Sequence, residues 1–548
     1  METTNLQSLT LGQILDRTIE KYPDNDAVVF YDRDYRLTYR QFGELVDRLA
    51  KGLMALGIEK GEKVAVWATN VPHWVALQFA TAKIGAILLT VNTNYKIAEL
   101  AYLLEQSECE NIFLIDGFRD TDYVGTVYDL APELKTLPRG FLKTEKFPHL
   151  KRVFFLGHAK HRGMYSIFEV LSLADLLSDE AYKARQAELS PDDVVNMQYT
   201  SGTTGFPKGV MLSHHNIGTN GYWIGYNQVL GPKDRICLPV PLFHCFGCVL
   251  GVLAAVNHGS TLVILETFDP VAVMSAVEGE RCTALYGVPT MFIAVLQHKL
   301  FNKFDFSSLR TGIMAGSPCP VKTMEEVMEK MYLREITICY GLTENSPVVT
   351  QTTVTDSVRK RVETVGKPMP GIEVEIRDPV SHQPLPVGGQ GEVCCRGYSV
   401  MKGYYKMAEA TAKTILEDGW LLSGDLGVLD EEGYLRITGR HKDLIIRGGE
   451  NISPREIEEF IYRMEGIQDV QVVGVQSKKY GEQVGAFVIP KEGYDLSPED
   501  VQDFCRGKIS NYKVPKYVSF VTQLPLTASG KVQKYELRNL AAKLWPDA

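Results

Sequence analysis

The stretch YTSGTTGFPKGV, Tyr199 to Val210, gathers the hydroxyls of Thr200, Ser201, Thr203 and Thr204 and the glycines Gly202, Gly205 and Gly209 around one cation, Lys208. Backbone N–H groups in a glycine-rich turn converge on an anion, and Ser/Thr hydroxyls add donors, so the pattern points to phosphate binding. It is not the common nucleotide-binding loop, which has Gly immediately before its Lys and Ser or Thr after it. Here those positions hold Pro207 and Gly209. The sequence has no intact G-x-G-x-x-G, G-x-S-x-G or H-E-x-x-H, which argues against dehydrogenases, serine hydrolases and zinc proteases. A C-x-x-C pair, Cys245 and Cys248, follows His244 inside the apolar run LFHCFGCVLGVLAAV. It lacks a second ligand pair at zinc-site spacing and reads as buried thiols.

Such a loop needs a rigid support. KVAVWA, AILLTV, NIFLID and RVFFLG read as short buried strands in the first 190 residues. In FGELVDRLAKGLMALG the apolar Phe42, Leu45, Val46, Leu49, Leu53 and Leu56 recur at helical spacing. The alternation resumes with VVNMQYT, TLVIL, TALYG, TGIMAG and ITICYG, several of which run into Gly- and Ser/Thr-rich loops. This order predicts an α/β fold with layered, largely parallel sheets, and a site at the carboxyl ends of strands. From about residue 365, GIEVEIRD, GEVCCRG and GYLRITGR alternate apolar and polar residues, which predicts antiparallel strands or a small β-barrel-like subdomain. The last hundred or so residues read as a small α+β unit. Ser453-Pro454-Arg455-Glu456 and Ser497-Pro498-Glu499-Asp500 each predict a helix capped by its Ser.

At 548 residues the chain is too long for one simple core. A net charge of −9 without a basic block argues against nucleic acid as a partner. The ten cysteines show no disulfide-framework spacing, so a reducing, cytoplasmic location is expected. The N-terminus shows no secretory signal, and the longest apolar run, Cys245 to Val256, is too short to span a bilayer. Peripheral membrane contact and a homodimer are compatible with this composition.

With PLFHCFG (241–247), YGLTE (340–344), LLSGDLG (421–427), GRHKDLIIRGGENISPREIE (439–458) and LTASGK (526–531) following it in order, YTSGTTGFPKG resembles the signature set of the adenylate-forming superfamily. Its members include acyl-CoA synthetases, luciferases and peptide-synthetase adenylation domains. The resemblance covers nearly the whole chain. It implies a large adenylation domain, 1–439, and a small mobile domain, 440–548. It also implies ATP and Mg2+ as requirements, CoA as co-substrate, and activation of a carboxylic acid as acyl-AMP before transfer to a thiol.

The roles follow by resemblance. Residues 200–205 and Lys208 would hold the β- and γ-phosphates. Thr343 would donate to the α-phosphate, and Glu344 would bind magnesium. Gly316 and Ser317, in MAGSP, would lie against adenine with Tyr340 stacking nearby and Gly341 beside it. Asp425 would accept the ribose hydroxyls, with Arg440 assisting. Lys531 would bridge the acyl carboxylate and the α-phosphate. Lys442 would be the hinge, and Arg447, Gly448, Gly449 and Glu450 the thioester-forming segment. His244 would gate or position the path shared by acid and thiol.

No acidic residue occurs from Ile236 to Leu265, which disfavours an amino-acid substrate whose ammonium needs a partner. The small Cys245, Gly247, Cys248 and Gly251 after His244 suggest a channel wide enough for an alkyl tail, with Trp223 and Tyr222 able to close it. PLFHCFGCVLG and YGLTENSPV resemble medium-chain fatty acyl-CoA synthetases. A medium-chain fatty acid is the expected substrate, a benzoate- or coumarate-like acid the second reading, and a luciferase-like oxygenase a third.

Overall fold

A computed structural model describes residues 8–200, 207–447 and 450–546. Ser201, Gly202, Thr203, Thr204 and Gly205 of the glycine-rich loop, and Gly448 and Gly449, lie outside the described residues.

Among the described residues two large sheets carry the fold. In the eight-stranded sheet, Val194–Thr200, Ile87–Thr90, Lys63–Trp67, Asn111–Leu114 and Arg152–Phe155 run parallel. In the nine-stranded sheet, Thr261–Ile264, Arg235–Leu238, Ala284–Gly287, Thr311–Met314 and Glu335–Tyr340 run parallel. Antiparallel strands close its edges. These are the strands that the short apolar runs predict. Both sheets are covered on their faces, so their strands need no polar side.

The largest apolar core joins the two sheets through shared helices. Val64, Val66 and Leu88 come to it from one sheet, and Val28, Ile236 and Ile264 from the other. Pro72–Ile84 lies wholly inside: every residue from Trp74 to Ile84 is buried. Its sequence is apolar on all sides, as a helix between layers requires. Tyr39–Ala55, by contrast, buries the face carrying Phe42, Val46, Leu49 and Leu53 and begins in a complete capping box, Thr38 with Gln41.

The segment after residue 365 forms a four-stranded antiparallel sheet, with Ile372–Arg377 and Leu435–Arg440 at its ends. Those end strands do not pair with each other, so the sheet is open where the sequence reading allowed a barrel.

The chain leaves this sheet at Arg440, passes through one turn at His441–Asp443 and enters the C-terminal sheet at Ile445–Arg447. The smaller C-terminal domain is α+β and has its own core, including Ile445, Ile457, Val470, Val472, Val484 and Val488. The two helix starts predicted here differ in detail. Ser497 accepts from the Asp500 N–H and forms a capping box. Ser453 does not cap its helix, Pro454–Ile461. Its hydroxyl donates to the Thr438 carbonyl of the preceding antiparallel sheet, a long-range partner that local spacing cannot reveal.

Candidate active site

Three neighbouring parallel strands, Ala284–Gly287, Thr311–Met314 and Glu335–Tyr340, end side by side, and the segments leaving them carry Val288, Gly316 and Thr343. The carboxyl ends of parallel strands are where ligands collect in open α/β sheets. Gly316 has a backbone φ of +93°, a conformation glycine adopts without strain. Gly341 is pressed so closely on the Pro347 carbonyl that any β-carbon there would overlap it.

Lys531 arrives at this place from the C-terminal domain. Its Cε lies 3.2 Å and its Nζ 4.0 Å from where a β-carbon on Gly316 would stand. The loop that carries it is held by its own bonds. The Thr527 N–H donates to the Lys531 carbonyl at 2.7 Å, and the Lys531 N–H donates to Thr527 Oγ1 at 3.0 Å. Thr290 Oγ1 ties the loop to the large domain by donating to the Gly530 carbonyl at 3.0 Å. No carboxylate reaches ion-pair distance of the Lys531 ammonium among the described residues. Burial lowers its pKa below the ordinary lysine value, while Asp425 and Glu344 oppose that shift from further off.

Around Lys531 stand the other predicted residues. Tyr340 Oη donates to Asp425 Oδ2 at 2.8 Å and Arg440 Nε donates to Asp425 Oδ1 at 2.6 Å, so the buried carboxylate is fixed from both sides. Burial, and then Asp425, raises the Tyr340 phenol well above its usual range, which keeps it a donor. His244 Nδ1 accepts the Phe246 N–H at 3.1 Å, which leaves Nε2 as the protonated nitrogen of a neutral ring. Burial and the Lys531 charge push its pKa down to about 3. Cys245 Sγ lies 3.7 Å from Thr343 Oγ1 and 3.6 Å from His244 Nδ1.

The strands on either side of the glycine-rich loop, Val194–Thr200 and Lys208–Ser213, pair antiparallel. Thr200 and Lys208 face each other at the end of that pairing, and the Pro207 carbonyl accepts from Tyr102 Oη at 3.0 Å. Lys208 points its ammonium at the ring of Tyr404, 4.4 Å from the centroid, and Tyr404 Oη donates to Glu344 Oε1 at 2.8 Å. Sequence reasoning missed Tyr404. The only local signal is its place after Gly403, whose φ of +128° and position against Thr411 mark a constrained strand.

Other predicted residues take different positions. Arg447 Nε donates to Gln483 Oε1 at 2.7 Å, and its guanidinium stacks on Tyr480, so Arg447 engages the C-terminal domain itself. Glu450 is exposed across the same hairpin. Ser317 is half-buried, and Lys442 is exposed in the connecting turn. Helix Pro454–Ile461 adds a further interdomain tie: Arg455 donates to the Ile437 carbonyl at 2.7 Å.

The channel argument needs correction. Phe246–Leu253 forms a π-helix, a wider turn than the α-helix. Gly251 is packed on the Leu238 side chain and Gly247 on the Pro241 carbonyl, each closer than a β-carbon permits. Their smallness serves close approach of this helix to its neighbours. Cys248 is fully buried, with Gln198 donating to its sulfur. Of the four small residues only Cys245 turns toward Thr343 and His244. Trp223 is half-buried in an aromatic cluster with Tyr222 and Tyr226.

No group of three or more His, Cys, Asp or Glu side chains among the described residues can cage a metal. That excludes a cage of this kind there but suits Mg2+, which keeps water and phosphate oxygens in its shell and takes one or two carboxylates from a protein. Glu344, with one oxygen engaged by Tyr404 and the other without a hydrogen-bond donor among the described residues, fits that role.

Lys531 over Gly316, the clamped Asp425 carboxylate and Glu344, joined to Lys208 through Tyr404, are thus gathered at the strand ends. The AMP-binding enzyme family model matches residues 15–405 and the AMP-binding enzyme C-terminal domain model residues 456–531, so the chain belongs to the AMP-binding enzymes. YngI of Bacillus subtilis (strain 168) is 52% identical over 536 residues, 98% of each chain. The medium-chain acyl-CoA ligase ACSF2, mitochondrial, of Danio rerio is 41% identical over 543 residues, 98% of this chain and 89% of the relative. Among solved structures, the anthranilate CoA ligase AuaEII in complex with anthranoyl-AMP superposes with a TM-score of 0.87 at 25% identity, over 100% of both chains. ATP-bound MatB from Rhodopseudomonas palustris gives 0.82 at 27%, over 98% of this chain and 100% of that one.

Proposed function

We propose that the chain is an acyl-CoA synthetase that activates a medium-chain fatty acid. The observation that carries the reading is Lys531 lying over Gly316, beside His244 and the Asp425 clamp, with no counter-ion among the described residues. A cation placed in a partly buried site without a partner is available to a ligand's charge.

A carboxylate is a poor electrophile, and its charge repels the α-phosphate it must attack. Lys531 meets both anions and offsets that repulsion. One carboxylate oxygen forms a bond to the α-phosphorus, the bond from that phosphorus to the bridging oxygen breaks, and pyrophosphate leaves with those electrons. The glycine-rich loop and Lys208 hold the β- and γ-phosphates, Thr343 donates to the α-phosphate, and Asp425 with Tyr340 and Arg440 fixes the ribose. Gly316, Ser317 and Gly341 leave room for adenine. Glu344 would hold Mg2+, which would supply charge neutralisation at the phosphates.

In the second step the CoA sulfur forms a bond to the acyl carbon and AMP leaves. His244, neutral and donating through Nε2, is placed to orient the carboxyl oxygen at that carbon. We assign residues 1–439 to the large domain and 440–548 to the small one, with the hinge at Lys442. The Arg447 to Glu450 hairpin serves the thioester step after the small domain turns. Ten buried free cysteines suit a reducing compartment such as the cytoplasm. No helix among the described residues is long and apolar enough to cross a membrane.

The choice of acid leans on the similarity to ACSF2, because the small residues after His244 do not by themselves form a channel. The test is pyrophosphate release across acetate, hexanoate, octanoate, dodecanoate and benzoate, with and without CoA. Greatest release with hexanoate or octanoate, and thioester formed only with CoA, is expected. Acid-dependent release with no thioester would overturn the ligase reading, and a benzoate maximum would move the substrate to aromatic acids.

A further inference from the structure

Lys208 and Glu344 both engage one aromatic ring, Lys208 over its face and Glu344 at its hydroxyl. The Lys208 ammonium lies 4.4 Å from the Tyr404 ring centroid and has no ion-pair partner among the described residues. Glu344 Oε1 accepts the Tyr404 hydroxyl at 2.8 Å. The ring is only 5% exposed, and burial raises its pKa, so it remains a phenol and a donor.

The backbone holds this order in place. The strand Gly403–Tyr404 pairs antiparallel with Lys208–Ser213, placing Val210 opposite Tyr404. Lys208 lies two residues before Val210 and therefore on the same face of its strand. The Tyr405 N–H donates to the Gly209 carbonyl at 2.8 Å, and the Met401 N–H to the Glu344 carbonyl at 2.9 Å. The Tyr404 N–H itself donates to Thr411 Oγ1 at 2.9 Å. One short segment thus ties the strand Lys208–Ser213 to the Thr343–Asn345 turn.

An ammonium and a carboxylate serving one polyphosphate attract each other. Joined directly, they would cancel the two charges that the nucleotide and its cation need. One ring that meets the ammonium through its face by cation–π attraction and the carboxylate through its hydroxyl gives each a separate anchor, away from the other. We propose that Tyr404 is a positioning residue that separates Lys208 from Glu344, so that each keeps its charge for the phosphates and their Mg2+. The proposal rests on the reading of Glu344 as the metal-binding carboxylate.

The test is calorimetric ATP binding by the full chain, without acid, as Mg2+ is titrated. Tyr404→Phe keeps the ring and removes the hydroxyl, and Tyr404→Leu removes both. Outer-sphere partners of a metal ligand affect metal affinity strongly, so Tyr404→Leu should raise the Mg2+ concentration for half-saturation by about 10-fold or more. Tyr404→Phe should raise it by a smaller factor, about threefold. The distinguishing result is a double-substitution cycle. In a Lys208→Met background no ammonium remains to collapse on Glu344, so Tyr404→Leu should then shift half-saturation by no more than the roughly threefold that the lost hydroxyl explains.

An unchanged Mg2+ requirement in Tyr404→Leu, or an equal shift with and without Lys208, overturns the proposal. If Tyr404→Leu does not fold, Tyr404→Phe decides, and no shift in it overturns the proposal. Glu344→Gln separates the two readings. If it leaves the Mg2+ dependence intact, the metal-ligand assignment fails and this inference with it. If it abolishes that dependence while the Tyr404 variants behave as wild type, this inference alone fails.

Discussion

Lys531 of the small domain lies across Gly316 of the large one, its Cε 3.2 Å from the point where a β-carbon on the glycine would stand. The side chain crosses a place where any other residue would obstruct it. A glycine more than two hundred residues away therefore sets how deeply the lysine enters the site.

Gly316→Ala is the direct probe of that contact. A non-glycine residue at φ +93° costs about 1–3 kcal/mol of strain, and the added methyl also meets Lys531. The expected result is a lowered thermal midpoint together with slower pyrophosphate release. Thioester formation from supplied acyl-adenylate should fall less. Equal loss of both half-reactions would show that the contact is structural only.

Lys531→Met should separate stability from catalysis. Its ammonium is driven down in pKa by burial and has no ion pair, so its charge costs stability at neutral pH. Adenylation should drop by about 100-fold or more, the scale of losing one preorganised charge-stabilising group. The thermal midpoint should stay level or rise. A lower midpoint would mean that the lysine stabilises the fold.

Asp425→Asn weakens the bond from Arg440 and removes the charge that Tyr340 and Arg440 share. Hydrogen bonds to charged groups contribute about 1.5–3 kcal/mol, so KM for ATP should rise about 10-fold or more. Measured at saturating ATP, kcat should change less, because the role proposed for the carboxylate is at the ribose and not at the reacting phosphorus. A change confined to kcat would contradict the ribose assignment.

His244 gives a pH prediction. Its folded pKa of about 3 lies below the ordinary 6.5, so the unfolded chain binds a proton that the folded chain refuses. The stability tied to this residue is therefore present above pH 6.5 and is lost as pH falls from there toward 3. Thermal midpoints at pH 7.5 and 5 should differ less in His244→Gln than in the wild type. The neutral ring also predicts that His244 adds no acid limb to the rate between pH 6 and 9.

The parallel strands were legible because both sheets are buried on their faces and leave continuous apolar runs, as at KVAVWA and NIFLID. The site residues that sit in motifs were legible through the order of those motifs. What stayed hidden depends on contacts between distant segments. Gly251 looks the same in a sequence whether it lines a channel or packs on Leu238. Ser453 carries every local sign of a helix cap, yet its hydroxyl is taken by Thr438. Tyr404 belongs to no quoted motif, and only strand pairing brings it against both Lys208 and Glu344.

The loop bearing Lys531 keeps its shape through its own Thr527 bonds and meets the large domain at Gly530 by a single hydrogen bond, from Thr290. It behaves as a key cut in advance: its form does not depend on the lock. If the small domain turns as proposed, withdrawal exchanges that bond and a glycine contact for water, and the loop keeps its Thr527 bonds for its return. The ordering entropy is met once, when the chain folds, and is not charged again at each turnover.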